Sequence, residues 1–246
     1  MSSDAQSPAA NPPQANTGKQ LEVQVDGARY ARIPLRTRVV MPGDDLDEII
    51  TEFGAPSVRP GDLLFVTEKI VAITQGRSYL LEEIEPRRLA LFLSKYVTRT
   101  PHGIGLGMPE TMEMALRECG APRILFAAAV SAITKLFGRK GDFYRIAGDK
   151  ARAIDGPTSG TIPPYNKAVV LGPDKPREVA AHLKRLIGGT ADVAVVDIND
   201  LGGNILGSTL GKAGEKRLLA ILGDNPLGQG HQSTPLGIVR PAPVIE

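Results

Sequence analysis

The 246-residue chain is 42% hydrophobic and 23% charged, a balance that suits a globular protein with a sizeable core. Its formal net charge of +2 is the difference between 29 basic and 27 acidic residues, and aromatic residues make up 4% with no tryptophan, which argues against a general nucleic-acid binder or a base-stacking platform. The single cysteine, Cys119, excludes an intramolecular disulfide and a cysteine-rich metal cluster and suits a reducing compartment. No run reaches the length of a membrane span, and the N-terminus lacks the basic start and apolar middle of a signal peptide, so the expected location is the cytoplasm.

Residues 1–18 are Ser, Ala, Pro, Gln and Asn with almost no bulky apolar side chain, and they read as a disordered tail before a single domain over 19–246. Leu21 to Val25 alternates as a half-buried strand, and Ala31 to Val40 reads as a second extended segment interrupted at Pro34. An aspartate in Pro42-Gly-Asp-Asp-Leu fits the cap of a helix that carries Leu46, Ile49, Ile50 and Phe53 and stops at Gly54. Arg59-Pro-Gly-Asp is a turn before a buried strand, Leu63 to Val66. The stretch 67–77 reads as a loop that places Glu68 and Lys69 just past that strand and closes on Gly76 and Arg77. Pro86 to Val97 reads as an amphipathic helix with Leu89, Leu91, Leu93 and Val97 inward.

The stretch from Thr100 to Asn166 makes the most unusual backbone demands. Glycines at 103, 105 and 107 precede a helix from Glu110 to Cys119, with Pro109 at its first turn, Met112, Ala115 and Leu116 on one face and Gly120 as the stop. Ile124 to Ile133 is apolar and short, and reads as a buried strand whose far end delivers Lys135, Arg139, Lys140 and Asp142 to one place. Beyond it, Ala168 to Leu171 reads as a short strand. A helix after Asp174 carries Val179, Leu183 and Leu186, and Val193 to Ile198 is another buried strand. A last helix spans about Gly214 to Leu222, and Leu236 to Arg240 reads as a closing strand. Strands and helices mix without strict alternation, which predicts an α+β fold of mixed sheets with packed helices.

Three sets of residues carry chemical potential. Gly103, Gly105 and Gly107 fit either a tight turn or a cradle of converging N–H groups for an oxyanion. Lys69, Arg77, Lys135, Arg139 and Lys140 fit either a solvated basic rim or a set of cations around a phosphate or acyl phosphate. Lys135 leads that set because it follows a buried run directly. Glu110, Asp155, Asp197, Asn199, Asp200, Asp224 and Asn225 are candidate oxygen ligands for a hard cation, with Asp155 and Asp200 preferred, although each also fits a turn or cap. No Gly-x-Ser-x-Gly elbow, cysteine-centred signature or histidine metal spacing is present.

The order Pro-Gly-Asp-Asp-Leu at 42–46, Pro-Gly-Asp-Leu-Leu-Phe-Val-Thr-Glu-Lys-Ile-Val at 60–71, Gly-Arg at 76–77 and Phe-Gly-Arg at 137–139 resembles the gamma-glutamyl ligase family of the deazaflavin coenzyme F-420. The resemblance runs over roughly residues 33 to 200. It implies an intertwined α+β homodimer that couples GTP, or by extension ATP, and Mg or Mn to amide formation. A small-molecule carboxylate is activated as an acyl phosphate and then attacked by the amine of L-glutamate. Joined to the residue sets above, a ligase reading makes Lys135 and Arg139 the catalytic candidates, Glu68, Lys69, Arg77, Gly103, Gly105 and Gly107 the nucleotide-binding ones, and Glu110, Asp155 and Asp200 the metal ligands. Three departures accompany it. Gly103 to Glu113 replaces the family's segment with glycine, aspartate and asparagine. Lys135-Leu136 stands where members of the family carry Asp-Thr, and Glu68 and Ile73 stand where members carry a serine and a lysine for the nucleotide. They leave an alternative open, a non-catalytic relative that binds an anionic metabolite, with no nucleic acid and no membrane as partner in either case.

Overall fold

The computed structural model describes residues 14–97, 105–139, 141–158, 160–200, 202–228 and 232–242. Among these, eight strands and nine α-helices form a six-stranded sheet, a two-stranded sheet and the helices that cover them. The strands are β1 (Glu22–Val25), β2 (Ala28–Leu35), β3 (Leu63–Thr67), β4 (Ser78–Leu80), β5 (Ala168–Val170), β6 (Asp192–Asn199), β7 (Gly202–Ser208) and β8 (Leu236–Ala242). The helices are α1 (Leu46–Ile49), α2 (Glu68–Thr74), α3 (Arg88–Leu93), α4 (Pro109–Cys119), α5 (Ala121–Leu136), α6 (Asp142–Ala147), α7 (Asp149–Arg152), α8 (Pro176–Leu186) and α9 (Lys212–Leu222). The expected α+β class is what the structure shows.

The large sheet has the order β1-β2-β8-β3-β6-β7, with β3 and β6 parallel and the other neighbours antiparallel. β3 and β6 are interior strands covered on both faces, so they read as unbroken apolar runs rather than alternating ones. Successive side chains leave a strand on opposite faces. Leu64, Val66, Val193 and Val195 therefore join one core with α1, α2 and α8, while Phe65, Ala194 and Val196 join the second with α9. Gly237 on β8 is paired with Phe65, and a Cβ there would stand 2.3 Å from the ring, so the glycine is what lets the phenyl group lie across the sheet.

A third core gathers α3 to α7 over β5. β5 divides the two layers by the same alternation: Ala168 and Val170 face the sheet core, and Val169 and Leu171 face the helical one. Arg77 ties the layers together, donating from Nε to the Gly172 carbonyl at 2.6 Å and from Nη2 to Glu118 at 2.8 Å. Within the stretch read as tail, Asn16 donates to the Leu227 carbonyl at 2.8 Å and to the Thr234 hydroxyl at 2.6 Å; residues 1–13 lie outside the described residues. Among the described residues no single helix is long and apolar enough to cross a membrane.

Several local expectations are corrected. Ile124 to Ile133 is not a strand but the middle of α5, with Pro122 in its first turn. The three consecutive alanines 127–129 favour a helix, and a short apolar run does not by its period distinguish the two states. The run is also largely uncovered: Ile124 and Ala127 are buried, whereas Leu125, Phe126 and Ile133 are exposed. The stretch 67–77 is helix α2 rather than a loop, begun from extended Thr67 and closed by Gly76 at φ 70°. The helix expected over 86–97 is regular only over α3, and Leu91 points to solvent. β7, absent from the sequence reading, begins in a glycine pair of a kind that usually marks a loop. The Asp cap before Leu46 is present, with the Asp45 carboxylate accepting from the Asp47 N–H at 2.8 Å.

Candidate functional site

The parallel pairing of β3 with β6 builds the site. Thr67 is in register with Val196, so the chain leaves β3 into Glu68 and Lys69 directly beside Asp197. Asp197 belongs to the odd-numbered positions of β6, on the same face as Val193 and Val195, which α2 covers. From the other side comes Asp155, fixed by a two-way backbone pairing with Val170: each N–H donates to the other's carbonyl, at 2.8 and 2.9 Å. Lys69 Nζ donates to Asp155 Oδ2 at 2.5 Å. One ammonium thus faces three carboxylates at the carboxyl ends of two parallel strands, where ligands of open α/β sheets commonly bind.

The electrostatics of the cluster follow from that arithmetic. Removal from water, followed by repulsion from Asp197 and Asp155, pushes the Glu68 carboxyl up to about 8, with Lys69 pulling the other way. Asp197 is also raised, chiefly by desolvation and then by Asp155, against a hydrogen bond from Asn199 and the charge of Lys69. Negative charge is in excess here, and a further cation or a proton relieves it.

Beside the cluster lies a pocket of about 220 Å³. Thr67, Lys69, Ile70 and Ile73 form one wall, and Ile198, Leu227 and Pro235 contribute others. Its far wall belongs to the segment after α9, which β2 holds in place. The buried Arg32 guanidinium donates to the Ile221 carbonyl at 3.1 Å and to the Gln20 carbonyl at 2.8 Å, and pairs with Asp224. Asn225 follows at φ 53° and donates to Asp200 at 3.0 Å.

The sequence-predicted residues fall in separate places. Lys69, Glu68 and Asp155 come together. Arg77 is at the opposite end of α2 and braces Glu118. Lys135 is exposed in the last turn of α5, and Arg139 follows it, pairing with Asp142 at 3.0 Å; α5 packs on α4 and α6. The expectation that a buried strand delivers these two cations is corrected with the strand itself. Gly103 lies outside the described residues. Gly105 and Gly107 precede α4, and the Leu106 N–H between them donates to the Tyr144 hydroxyl at 3.4 Å, which uses a group that an anion cradle needs.

The three expected metal ligands are not gathered either. Asp155 is with Lys69, Asp200 bonds Lys19 and Asn225, and Glu110 is in the first turn of α4. Among the described residues no three His, Cys, Asp or Glu side chains meet as a metal cage. Asp197, which completes the cluster, carried a sequence signal in its position at the end of a buried strand. The parallel register that sets it beside Glu68 is a long-range fact that no local pattern encodes.

The mixed α+β fold thus sets acidic groups and a lysine at the ends of its parallel strands, beside a pocket. The model of the F420-0:Gamma-glutamyl ligase family matches residues 34–210, and the chain belongs to that family. The matched span contains Glu68, Lys69, Asp155 and Asp197. No curated protein matches the chain.

Proposed function

We propose that the protein is a nucleotide-dependent carboxylate–amine ligase of gamma-glutamyl ligase type, working as a homodimer in the cytoplasm, with Lys69 at the centre of its chemistry. The observation that carries this reading is the Lys69–Asp155 pair, whose lysine lines the pocket, with Glu68 and Asp197 close enough to interact electrostatically, within the span matched by the family. A carboxylate oxygen of the acceptor attacks the γ-phosphorus of GTP or ATP, the bond to the β-phosphate oxygen breaks, and the nucleoside diphosphate leaves. The amine nitrogen of L-glutamate then attacks the acyl carbon. The carbon–oxygen bond to phosphate breaks, inorganic phosphate departs, and the amide nitrogen loses a proton to solvent.

In this scheme Lys69 offsets the charge that gathers on the activated carboxylate, and Asp155 holds its ammonium in place through one of three N–H groups. An oxygen-only set of two carboxylates suits a Mg or Mn ion that arrives on the triphosphate rather than one caged by protein, and Asp155 and Asp197 are the residues suited to hold it. Such an ion supplies neutralisation of phosphate charge. The uncovered apolar side of α5, with Phe126, Ile133, Leu136 and Phe137 exposed, supports the homodimer.

The test is phosphate release by purified protein given GTP or ATP, Mg or Mn, L-glutamate and a panel of carboxylates including coenzyme F-420-0. Release that requires nucleotide, metal, amine and one class of acid is the expected result. Absence of release with every nucleotide and acid overturns the reading.

A further inference from the structure

One wall of the pocket is irregular chain between α9 and β8: Asn225, Leu227, Gly228, Ser233, Thr234 and Pro235 line it. No helix or strand ladder fixes such chain, so its position depends on individual side-chain and turn bonds. Its end nearer β8 is held by backbone bonds, Thr37 N–H donating to the Ser233 carbonyl at 2.9 Å and Thr67 N–H to the Pro235 carbonyl at 3.0 Å. Its end nearer α9 is held by the pair of Arg32 with Asp224 and by a turn in which Gly228 N–H donates to the Asn225 carbonyl at 2.9 Å.

Further ties come from the first described residues of the chain. Lys19 N–H donates to the Asn16 carbonyl at 2.9 Å, closing a turn in which Gly18 stands at φ 75°. The turn aims two side chains at the wall. The Asn16 amide donates to the Leu227 carbonyl at 2.8 Å and to the Thr234 hydroxyl at 2.6 Å, which joins the two ends of the wall. The Lys19 ammonium donates to the Asp224 carbonyl and to Asp200 Oδ1, each at 3.0 Å, and Asn225 donates to the same Asp200 oxygen at 3.0 Å. Lys19 Cε lies 3.5 Å from the place that a Cβ on Gly228 would take, so the stem runs along the glycine. Asp200 directly follows β6, whose end carries Asp197, and Lys19 thereby links the wall to the strand that bears the acidic cluster. A polar turn without large apolar side chains is not ordered by burial. Its order and that of the wall come from the bonds they share.

We infer that Asn16 and Lys19 are positioning residues for the pocket: they fix the wall at 224–228 and 233–235 and so set how tightly the site holds a substrate. The inference rests on the ligase reading for the substrate that is held, whereas the fixing of the wall does not depend on it.

Hydrogen exchange on the full chain tests the fixing, and steady-state kinetics tests its use. Asn16→Asp keeps the shape but sets an acceptor against the Leu227 carbonyl, and Lys19→Met keeps the stem but removes the charge. Each variant is expected to speed exchange of the amides of 224–228 about tenfold with β3 and β6 unchanged, while Lys19→Arg stays near wild type. With GTP or ATP and the acid that supports turnover, Asn16→Asp and Lys19→Met are expected to raise KM for one substrate about fivefold and to leave kcat within about twofold, because a loosened wall weakens ground state and transition state alike. A purely structural role lowers the active fraction instead, and with it kcat at constant KM. The inference is overturned by unchanged exchange at 224–228 in both variants, by an equal rise in β3 and β6, by a fall in kcat at constant KM, or by Lys19→Arg behaving as Lys19→Met. Absence of turnover in wild type counts against the ligase reading alone, and the exchange result then decides whether Asn16 and Lys19 fix the wall.

Discussion

Lys69 and Lys135 are both lysines on helices, next to apolar runs, with an Asp or a Gly-Arg nearby, yet the fold treats them in opposite ways. Lys69 follows a central strand of the large sheet, touches Asp155 and shares its surroundings with Glu68 and Asp197. Lys135 ends a helix whose outer side is bare, and its chain neighbours Leu136 and Phe137 are 85% and 80% exposed. An ammonium is useful to chemistry where its charge is little screened and its position is fixed by partners. On those grounds Lys69, rather than Lys135, is the lysine suited to the proposed chemistry, and the α5 end is a bare apolar surface.

The sharpest way to break this comparison is to remove each charge. Lys69→Met is expected to lower amide-forming turnover by about 10²–10³-fold, the effect of deleting one electrostatic stabiliser of a developing anion. Asp155→Asn, which keeps the shape but frees the ammonium, is expected to cost less, on the order of tenfold. Steady-state kinetics with the acid that best supports turnover reads both, and a loss confined to KM rather than kcat assigns Lys69 to holding substrate alone.

A second effect separates the regions by pH. A carboxyl raised to about 8 in the folded protein from an ordinary 4.5 binds more protons folded than unfolded between those values. Its contribution to stability is therefore present below about 4.5 and is lost as pH rises towards 8. Chemical denaturation in chelator is expected to show wild type losing stability across that window. Glu68→Gln removes most of the loss and is several degrees more stable than wild type at pH 8.5. The groups facing Glu68 are Asp197, Asp155 and Lys69, so Asp197→Asn is expected to move the window downward. Neutralising Asp142 at the α5 end leaves the same window unchanged.

Arg77 gives an intermediate case. Its bonds to Gly172 and Glu118 join two layers of the fold, so Arg77→Ala is expected to cost about 1–3 kcal/mol in denaturant unfolding. The smallest effect belongs to the exposed end: Lys135→Met and Arg139→Gln are expected to change turnover less than about threefold and stability by less than about 0.5 kcal/mol. A dimer dissociated by Leu136→Asp, read by sedimentation, places the α5 face in the interface; an unchanged dimer removes α5 from it.

The sequence made the sheet core legible because buried strands and their caps are local statements. Leu63 to Val66, Val193 to Ile198 and Leu236 to Arg240 are strands as their apolar runs predict, and Asp45 and Gly120 begin and end helices as their types predict. What failed was a choice between two buried states. Ile124 to Ile133 has the length of a strand and the alanines of a helix, and nothing in its period decides between them. Because Lys135 was ranked by that strand, its promotion fell with it. Lys69 and Asp155 were both legible as charged residues at ends of elements, but their meeting depends on β5 pairing with Asp155 and on β3 pairing with β6 over more than a hundred residues of chain. Asp197 illustrates the same limit: its face follows from alternation, and its neighbours do not.

The measurement closest to the central claim is nucleotide-dependent hydroxamate formation, with hydroxylamine trapping any activated acid, run side by side on wild type, Lys69→Met and Lys135→Met. The account predicts hydroxamate from the carboxylate that supports turnover with wild type and Lys135→Met, and at least a hundredfold less with Lys69→Met. Hydroxamate formation that survives in Lys69→Met and disappears in Lys135→Met would contradict it and move the chemistry to the end of α5.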